Sequence, residues 1–302
     1  MHAFGNRLMT AVTRCKTPAL VGLDPRFDSL PAPLKSGRDS RSPDDVAAAF
    51  EIFCKGVIDV VASRVAIVKP QAAFFEQVGV PGMAALAATI NYAREKGLLV
   101  ILDGKRNDIG STAAAYANSY LGAESVWHAD ALTVSPYLGG DSLTPFSDVA
   151  NARAAGIFVL VKTSNPGGGL FQDVADADGP LYRHVARHVE AMNTERAPGS
   201  RFGAVGAVVG ATYPEQLAEL RTVMPHSWFL VPGYGVQGGS ASDVAGAFDT
   251  DGLGAIISNS RGIIFAHSKD DRFSDDRWQD AVDAAMQNMI ASLRDNTPAG
   301  RL

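Results

Sequence analysis

Residues 98–121 read LLVILDGKRNDIGSTAAAYANSYL, and this stretch contains one complete unit of the predicted fold. It begins with a continuous apolar run over 98–102, which is typical of a strand that is buried on both faces. Tyr116, Ala117 and Tyr120 then follow at helical spacing. The stretch therefore predicts a strand, a polar turn and a helix that packs back against the strand.

The same alternation of an apolar run and a helical pattern continues along the whole chain. Eight strands that alternate with helices favour a closed (β/α)8 barrel of the TIM type over an open sheet. We therefore predict a single barrel domain over residues 1–302, with an amphipathic helix at its amino terminus. The other predicted strands are ALVGLD (19–24), RVAIVKP (64–70), DALTVSP (130–136), GIFVLVKTS (156–164), VGAVVGAT (205–212), WFLVPGYG (228–235) and GAIISNSRG (254–262).

Three of the segments between predicted strands carry further signals. Ser42 followed by Pro43 is typical of an N-cap and the first position of a helix. The residues from Thr212 to Glu215 predict a capping box that opens another helix. The least regular stretch, residues 165–201, predicts an excursion above the barrel.

The composition argues against several classes of protein. Hydrophobic residues make up 46% of the chain and charged residues 20%, which permits a large buried core. The net charge of −5 and the lack of a Lys/Arg block argue against nucleic acid as a partner. No apolar stretch approaches the roughly 18 residues of a membrane span, and the amino terminus lacks the apolar segment of a secretory signal. We therefore expect a cytoplasmic protein without a membrane partner.

Polar residues that could carry chemistry follow the apolar runs. In a (β/α)8 barrel the functional groups lie at the carboxyl ends of the strands. Every candidate falls at that end of its predicted strand, which a chance arrangement would not produce. The candidates are Asp24, Lys69, Asp103, Lys105, Thr163, Ser164, Gln237, Ser260 and Arg261.

The most informative of these groups is the D-x-K pair after the third strand. Asp103 and Lys105 are two residues apart, so their side chains are expected on the same face. Asp108 follows in the turn before the next helix, and Lys69 ends the neighbouring second strand. The four residues can form an array of alternating charge. A buried salt-bridge network is the structural alternative, although such networks stabilise poorly.

A glycine-rich segment, VPGYGVQGG at 231–239, follows the seventh predicted strand. Phosphate sites in barrels commonly form from the loops after strands seven and eight. Glycine lets backbone amides approach an anion closely, and Arg261 after the eighth strand offers bidentate geometry for a phosphate. A set of tight turns is the alternative. The G-x-G-x-x-G pattern of Gly233, Gly235 and Gly238 does not follow the first strand, as a dinucleotide-binding fold requires.

Other candidate chemistries have little support. His184 and His188 lie one helical turn apart, but no third ligand of suitable spacing accompanies them, which argues against a metal site. Cys15 and Cys54 fit neither a disulfide framework nor a metal motif, and the helical patterns around them indicate packing roles. The sequence has no G-x-S-x-G elbow, so a serine triad is not supported.

These motifs together resemble one enzyme family. The segments DGKRNDIGSTAAAYA, VKTSNPGGG, PGYGVQGG and ISNSRGI are similar, in this order, to those of orotidine 5′-phosphate decarboxylases, especially the longer bacterial subgroup. The resemblance extends from Val21 to Ile263 at positions consistent with a barrel. Two departures are visible: Gly104 stands where the subgroup usually has alanine, and Asn107 where it usually has glycine. Neither departure removes a charged group.

The resemblance implies that the chain converts orotidine 5′-phosphate to uridine 5′-phosphate, the last step of de novo UMP synthesis, without a metal or a cofactor. It implies that Lys105 protonates the C6 carbanion and that Asp103 lies beside the substrate carboxylate. It also implies a homodimer in which Asp108 and Thr112 reach into the neighbouring subunit's site. The implied charged array is Lys69, Asp103, Lys105 and Asp108. The other implied contacts are Asp24 with the ribose, Ser164 with the pyrimidine, Gln237 and Arg261 with the phosphate, and Pro232 near the leaving carbon dioxide.

Three other functions stay open at this point. A related barrel enzyme could act on a sugar phosphate through an enediolate and Mg²⁺, and inactivation by a chelator would favour that function. A non-catalytic phosphoribosyl-ligand binder would bind the nucleotide tightly without turnover. A dinucleotide oxidoreductase is disfavoured by the position of the glycine motif.

Overall fold

Eight parallel strands close into a barrel in the computed structural model, which describes residues 3–194, 199–235 and 238–302. The barrel strands are β1 (Ala19–Leu23), β2 (Ile67–Pro70), β3 (Leu99–Arg106), β4 (Ala131–Val134), β5 (Gly156–Lys162), β8 (Val205–Val209), β9 (Phe229–Val231) and β10 (Ala255–Asn259). Two short strands between β5 and β8 form a separate antiparallel hairpin, β6 (Ala175–Asp176) and β7 (Gly179–Pro180). Around the barrel the order is β1-β10-β9-β8-β5-β4-β3-β2. All eight predicted strands are present, and the predicted (β/α)8 barrel is confirmed.

Helices surround the barrel and connect most successive strands. They are α1 (Phe4–Cys15), α2 (Ala32–Lys35), α3 (Pro43–Val61), α4 (Ala72–Glu76), α5 (Val80–Glu95), α6 (Gly110–Leu121), α7 (Gly140–Arg153), α8 (Gly169–Gln172), α9 (Leu181–Met192), α10 (Pro214–Val223), α11 (Arg261–Ile264) and α12 (Trp278–Asn296). The described part of the connection between β9 and β10 contains a 3₁₀ helix, Ser242–Ala247. None of the helices in the described ranges combines the length and the apolar character that crossing a membrane requires.

The predicted amino-terminal helix closes one end of the barrel. Phe4, Leu8 and Val12 of α1 are buried against a cluster that takes one inward-facing residue from each of the eight barrel strands. The indole Nε1 of Trp228, in the same cluster, donates to the carbonyl of Gly5 at 3.1 Å. With this end filled by side chains, the opposite, carboxyl end of the barrel is left for function.

A second apolar layer lies between the strands and the surrounding helices. On β1, Leu20 belongs to the inner cluster, and its neighbours Val21 and Ala19 belong to this outer layer. Because side chains alternate between the two faces of a strand, a strand that is buried on both faces needs apolar residues at every position. The continuous apolar runs of the sequence follow from this double burial.

One of the two predicted helix starts is confirmed and the other is wrong. Ser42 Oγ accepts from the backbone N–H of Asp45 at 3.3 Å, and Pro43 is the first residue of α3. The capping box at Thr212 does not form. Tyr213 is the N-cap of α10, and Thr212 Oγ1 instead donates to the carbonyl of Ser164 at 3.3 Å. Thr212 therefore contacts the end of the neighbouring strand β5 and makes no side-chain cap on α10.

The predicted excursion is shorter than the sequence indicated. Residues 165–180 leave the barrel as a 3₁₀ turn, α8 and the β6–β7 hairpin. The following helix α9 buries Tyr182, Ala186 and Val189 in the outer apolar layer and is a regular barrel helix. Only a narrow stripe of α9 is apolar, and the sequence prediction therefore included this helix in the excursion.

Candidate active site

A cavity of about 450 Å³ opens at the carboxyl ends of the barrel strands. Its apolar part consists of Leu160, Val208 and Leu230, which continue the inner core of the barrel. Polar and charged side chains from the strand ends surround this floor. Seven of the ten predicted site residues line the cavity, namely Asp24, Lys69, Asp103, Lys105, Ser164, Pro232 and Arg261.

Asp103 lies between two lysines in this cavity. Lys69 Nζ donates to Asp103 Oδ2 at 2.6 Å, and Lys105 Nζ donates to Asp103 Oδ1 at 2.6 Å. Lys69 and Asp103 are each only 6% exposed, whereas the Lys105 side chain is 47% exposed. Lys105 therefore offers a bound molecule an accessible ammonium group whose orientation is set by a buried carboxylate.

The lysines determine the ionisation of Asp103. Burial acts to raise the pKa of Asp103, but the charges of Lys69 and Lys105 outweigh burial and hold that pKa well below its usual value. Burial likewise acts to lower the pKa of Lys69, and the carboxylates of Asp103 and Asp24 outweigh it and raise that pKa. At neutral pH the site thus presents a fixed negative charge beside positive ones.

The end of β3 is irregular where it presents this pair. The register between β3 and β4 shifts between Leu102 and Arg106, and Lys105 has a left-handed backbone with φ of 44°. The backbone N–H of Lys105 donates to Thr133 Oγ1 at 2.9 Å, and the Thr133 hydroxyl donates to Asp103 Oδ1 at 2.9 Å. Asp103 and Lys105 converge, as their two-residue spacing predicted. Thr133 of the next strand contacts both residues and supports this arrangement.

Asp24 extends the charged region at the end of β1. Its Oδ2 accepts from the Ser260 hydroxyl at 2.6 Å, and its Oδ1 is buried without a hydrogen-bond partner among the described residues. A buried carboxylate oxygen of this kind is suited to accept from a ligand hydroxyl. A Cβ at Gly22 would lie 1.9 Å from Ser260 Oγ, so the close approach of these two strand ends requires glycine.

The end of β5 contributes the polar stretch Thr163, Ser164 and Asn165 to the cavity wall. The Ser164 backbone packs closely on β8, because a Cβ at Gly210 would lie 2.8 Å from its nitrogen. Pro232, after β9, lines the same cavity. Polar groups of β5 therefore share the wall with the apolar ring of a proline.

Three of the described residues of the glycine-rich segment have the backbone that only glycine adopts readily. Gly233, Gly235 and Gly238 have φ of 99°, 79° and 98°, a region that favours glycine. The Gly235 N–H donates to the Gly239 carbonyl at 2.8 Å, and the Gly238 N–H donates to the Gly235 carbonyl at 2.8 Å. Gly233 lines the cavity. The predicted Gln237 lies outside the described residues.

Arg261 faces the glycine-rich segment from the next strand end. It is the first residue of α11, is half-buried and lines the cavity. Within the described ranges its guanidinium has no hydrogen-bond or ion-pair partner. A half-buried cation in this position is suited to an anionic ligand group.

Asp108 and Thr112 are not among the described residues that line the cavity of their own chain. Asp108 Oδ1 accepts from the backbone N–H of Ile109 at 2.8 Å, and Thr112 is exposed on α6. Three members of the predicted array therefore come together within one chain, and the fourth lies apart from them.

Among the polar cavity residues that were not singled out from the sequence are Gln71, Thr133, Ser258 and Asn259. Thr133 interrupts an apolar run, ALTV, and Ser258 is the first polar residue after the run AII, so both positions carry a signal that could have identified them. Asn259 follows Ser258 at the end of its run, where polar residues are usual. Nothing in the local sequence distinguishes Gln71, which becomes part of the site because its backbone pairs with β1 and β3.

The two histidines that are one helical turn apart in the sequence lie outside the cavity. His184 and His188 belong to α9, and His184 Nε2 is 2.9 Å from Asp176 Oδ1 of the β6–β7 hairpin. In the described parts of the chain, no three side chains of His, Cys, Asp or Glu are grouped so that they could hold a metal ion.

Comparison with known proteins agrees with this geometry. The sequence model described as "Orotidine 5'-phosphate decarboxylase / HUMPS family" matches residues 45–272. The orotidine 5′-phosphate decarboxylase of Rhodopirellula baltica is 54% identical over 302 residues, which is 97% of this chain and 100% of that protein. The enzyme of the same name from Deinococcus radiodurans is 43% identical over 258 residues, or 84% and 86% of the two chains.

A solved structure gives the same relationship. The OMP decarboxylase of Leishmania donovani is 34% identical and superposes with a TM-score of 0.75 over 97% of this chain and 98% of that one. The family match covers most of the residues, and the charged triad, the glycine-rich segment and the arginine lie where the motifs predicted them. The chain belongs to the orotidine 5′-phosphate decarboxylase / HUMPS family.

Proposed function

We propose that this protein decarboxylates orotidine 5′-phosphate to uridine 5′-phosphate, without a metal or an organic cofactor. The observation that carries the proposal is the arrangement of Lys69, Asp103 and Lys105, in which a buried carboxylate holds an accessible ammonium in the cavity. Arg261, which has no hydrogen-bond or ion-pair partner among the described residues, and the glycine-rich segment offer a place for a phosphate in the same cavity.

The triad suits the chemistry of this reaction. The bond between C6 of the pyrimidine and its carboxylate breaks, carbon dioxide leaves, and the electron pair stays on C6. Preorganised charge is an effective way to stabilise such a carbanion in a site from which water is largely excluded. Lys105 Nζ supplies the positive charge and then donates a proton to C6, and solvent reprotonates the lysine. Proton transfer of this kind contributes about 10²- to 10⁴-fold to the rate.

Asp103 contributes by its position. A carboxylate held ionised beside the substrate carboxylate disfavours the bound substrate relative to the transition state, in which the substrate charge has moved into the ring. Lys69 keeps Asp103 charged and in place. In this arrangement the two lysines have different tasks: one positions the carboxylate, and the other reaches the reacting carbon.

The remaining residues hold the substrate at a distance from C6. Asp24, with its free Oδ1, accepts from a ribose hydroxyl, and Ser164 contacts the pyrimidine. Arg261, with Gln237, binds the phosphate, and Pro232 lines the space that carbon dioxide enters. Binding energy from these remote contacts aligns the base against Lys105 and therefore supports kcat as well as affinity.

The proposal includes a homodimer with shared sites. Asp108 and Thr112 lie outside the cavity of their own chain. Large apolar side chains are exposed at the start of α6, on α6 and in the loop after β4: Ile109 (55%), Tyr116 (37%), Tyr137 (77%) and Leu138 (46%). Exposed apolar surface of this kind is a common mark of a protein interface. Across it, Asp108 and Thr112 of one subunit complete the site of the other. Each chain acts as one catalytic domain, in the cytoplasm.

An ultraviolet assay tests the activity. The purified protein, mixed with orotidine 5′-phosphate in excess chelator, is expected to show the absorbance change of conversion to uridine 5′-phosphate. Lys105→Ala should abolish turnover and leave a folded protein with an unchanged circular dichroism spectrum. No absorbance change with wild-type protein, or a requirement for added Mg²⁺, would contradict the proposal. Tight nucleotide binding without turnover would indicate a non-catalytic binder.

Subunit mixing tests the shared site. Lys105→Ala and Asp108→Ala should each be nearly inactive alone, because every site of either homodimer lacks one member of the array. After exchange of subunits, one site of each heterodimer collects both substitutions and the other collects none. Activity should then return to at most about half of the wild-type value per heterodimer. If exchange is demonstrated and activity does not return, Asp108 serves its own chain.

A further inference from the structure

A third lysine at a strand end lies outside the cavity. Lys162, the last residue of β5, is fully buried and does not line the site. The register between β5 and β8 shifts between Leu160 and Lys162, so that Leu160 pairs with Val208 and Lys162 with Val209. Regular alternation would place Lys162 on the same inward face as Leu160. The bulge at Val161 turns it to the outer face instead.

The buried ammonium connects four segments of the chain. It forms an ion pair with Asp173, which follows α8 in the excursion. It also lies 4.8 Å from the ring centre of Tyr213, before α10, and 5.3 Å from that of Tyr182 on α9. A buried charge is stable only with close partners, so the excursion is held where Asp173 can reach Lys162.

A second contact joins the excursion to the cavity wall. The backbone N–H of Thr163 donates to Gln172 Oε1 at 3.0 Å, and Gln172 Nε2 donates to Thr163 Oγ1 at 2.7 Å. The Thr163 hydroxyl in turn donates to Asn165 Oδ1 at 2.7 Å. A Cβ at Gly168 would lie 3.0 Å from Thr163 Oγ1 and 3.2 Å from Gln172 Oε1, so the turn fits closely around this pair.

We infer that Lys162, Gln172 and Asp173 are positioning residues, which hold the stretch Thr163–Asn165 in the wall of the active site. The ion pair and the amide contact close the loop of residues 162–173 at its base, so the stretch cannot move away from the cavity without breaking both. None of the three positioning residues lines the cavity. The inference rests on the proposed function for its kinetic test, and on amide exchange for a test that needs no activity.

The kinetic test uses Gln172→Ala, which leaves the ion pair of Lys162 and Asp173 intact, and Asp173→Asn, which removes it. Misplacing a substrate contact by about 1 Å can reduce the rate as much as 100-fold, so we expect kcat/KM to fall about 10- to 100-fold in each variant. The loss should appear in both KM and kcat, because the positioned stretch contributes to binding the substrate and to aligning its base. Gln172→Glu keeps an acceptor for the Thr163 amide and should recover most of the loss. Asp178→Asn, at an exposed carboxylate of the same excursion, is the control and should behave as wild type.

A double variant separates positioning from simple damage. Asp173→Asn leaves the buried Lys162 charge without its partner, whereas Lys162→Met combined with Asp173→Asn removes both charges. The double variant should therefore have a lower KM and a higher Tm than Asp173→Asn alone. Additive losses in the double variant would overturn the assigned role of the ion pair.

Hydrogen exchange measured by mass spectrometry gives the independent readout. Amides of the segment 163–174 should exchange at least tenfold faster in Gln172→Ala than in wild type, while amides of β2 and β3 stay unchanged. This result would support the inference even if the protein proved inactive on orotidine 5′-phosphate. Unchanged exchange in the segment, or a kinetic loss confined to kcat that Gln172→Glu does not recover, would overturn it.

Discussion

The backbone N–H of Lys105 donates a 2.9 Å hydrogen bond to the hydroxyl oxygen of Thr133 on the neighbouring strand. Lys105 has a left-handed backbone, which is costly for a residue with a side chain and persists only where its surroundings enforce it. The same hydroxyl donates to Asp103 Oδ1 at 2.9 Å. Thr133 thus positions the backbone of one charged residue and the carboxylate of the other.

Thr133→Val should therefore impair catalysis without removing any charge. The substitution keeps the shape of the side chain, leaves the Lys105 amide without its partner, and removes one of the two hydrogen bonds that Asp103 Oδ1 accepts. A buried unsatisfied group costs about 1–3 kcal/mol, so we expect the free energy of unfolding to fall by about that amount and kcat to fall about tenfold or more. Urea unfolding and steady-state kinetics measure both. Thr133→Ser retains the hydroxyl and is the control; equal losses in the two variants would contradict this role.

Gly22→Ala and Gly104→Ala should differ sharply. A Cβ at Gly22 would lie 1.9 Å from Ser260 Oγ and would break the contact of that serine with Asp24, whereas a Cβ at Gly104 meets Leu132 Cδ1 at an ordinary 3.4 Å. We expect Gly22→Ala to raise KM about tenfold, because one charge-assisted hydrogen bond contributes about 1.5–3 kcal/mol. Gly104→Ala should change the free energy of unfolding by less than about 0.5 kcal/mol and leave KM unaltered. Kinetics and thermal unfolding of both variants check this.

Asp103→Asn should show a characteristic pH dependence of stability. The pKa of Asp103 is lower in the folded protein than in the unfolded chain, so ionised Asp103 stabilises the fold above about pH 4, and the effect is lost as the pH falls toward the folded-state pKa. Breaking a buried ion pair costs about 3–5 kcal/mol. The difference in unfolding free energy between wild type and Asp103→Asn should have that size and be constant between about pH 5 and 7.

Below about pH 4 the difference should become smaller, because Asp103 of the unfolded wild-type chain takes up a proton there while the folded protein still keeps it ionised. Denaturant titrations at several pH values measure this difference. Asp148→Asn, at an exposed carboxylate on α7, should match wild type at every pH. A difference that grows as the pH falls would be inconsistent with a depressed pKa.

Arg261→Ala should lower kcat/KM by about 10- to 100-fold, the factor that corresponds to the loss of one charge-assisted hydrogen bond. Because the phosphate lies far from C6, its binding energy supports alignment of the base, and part of the loss should appear in kcat. Added guanidinium should restore part of the activity. Arg272→Ala, at an exposed arginine paired with Asp270, is the control. Unchanged kinetics in Arg261→Ala would place Arg261 outside the site.

The fold and most of the polar residues of the site could be predicted from the amino-acid sequence. Double burial makes every barrel strand a continuous apolar run, and function is confined to the ends of those runs, so Lys69, Asp103 and Arg261 could be identified from their positions alone. These are local properties of the chain. The amphipathic pattern of α1 is local in the same sense, although only the structure shows that it closes the end of the barrel.

Features that depend on neighbouring strands could not be predicted and became visible with the folded barrel. Thr133 positions Lys105 because β3 and β4 are out of regular register, and Lys162 leaves the cavity because a bulge in β5 turns it outward. The hydroxyl of Thr212 donates to the carbonyl of Ser164, which follows another strand, and the helix begins one residue later, with Tyr213 as its N-cap. Register shifts and contacts between distant segments arise when the barrel closes. The pattern of a single strand contains no information about them, since each depends on a partner strand that the chain reaches tens of residues away.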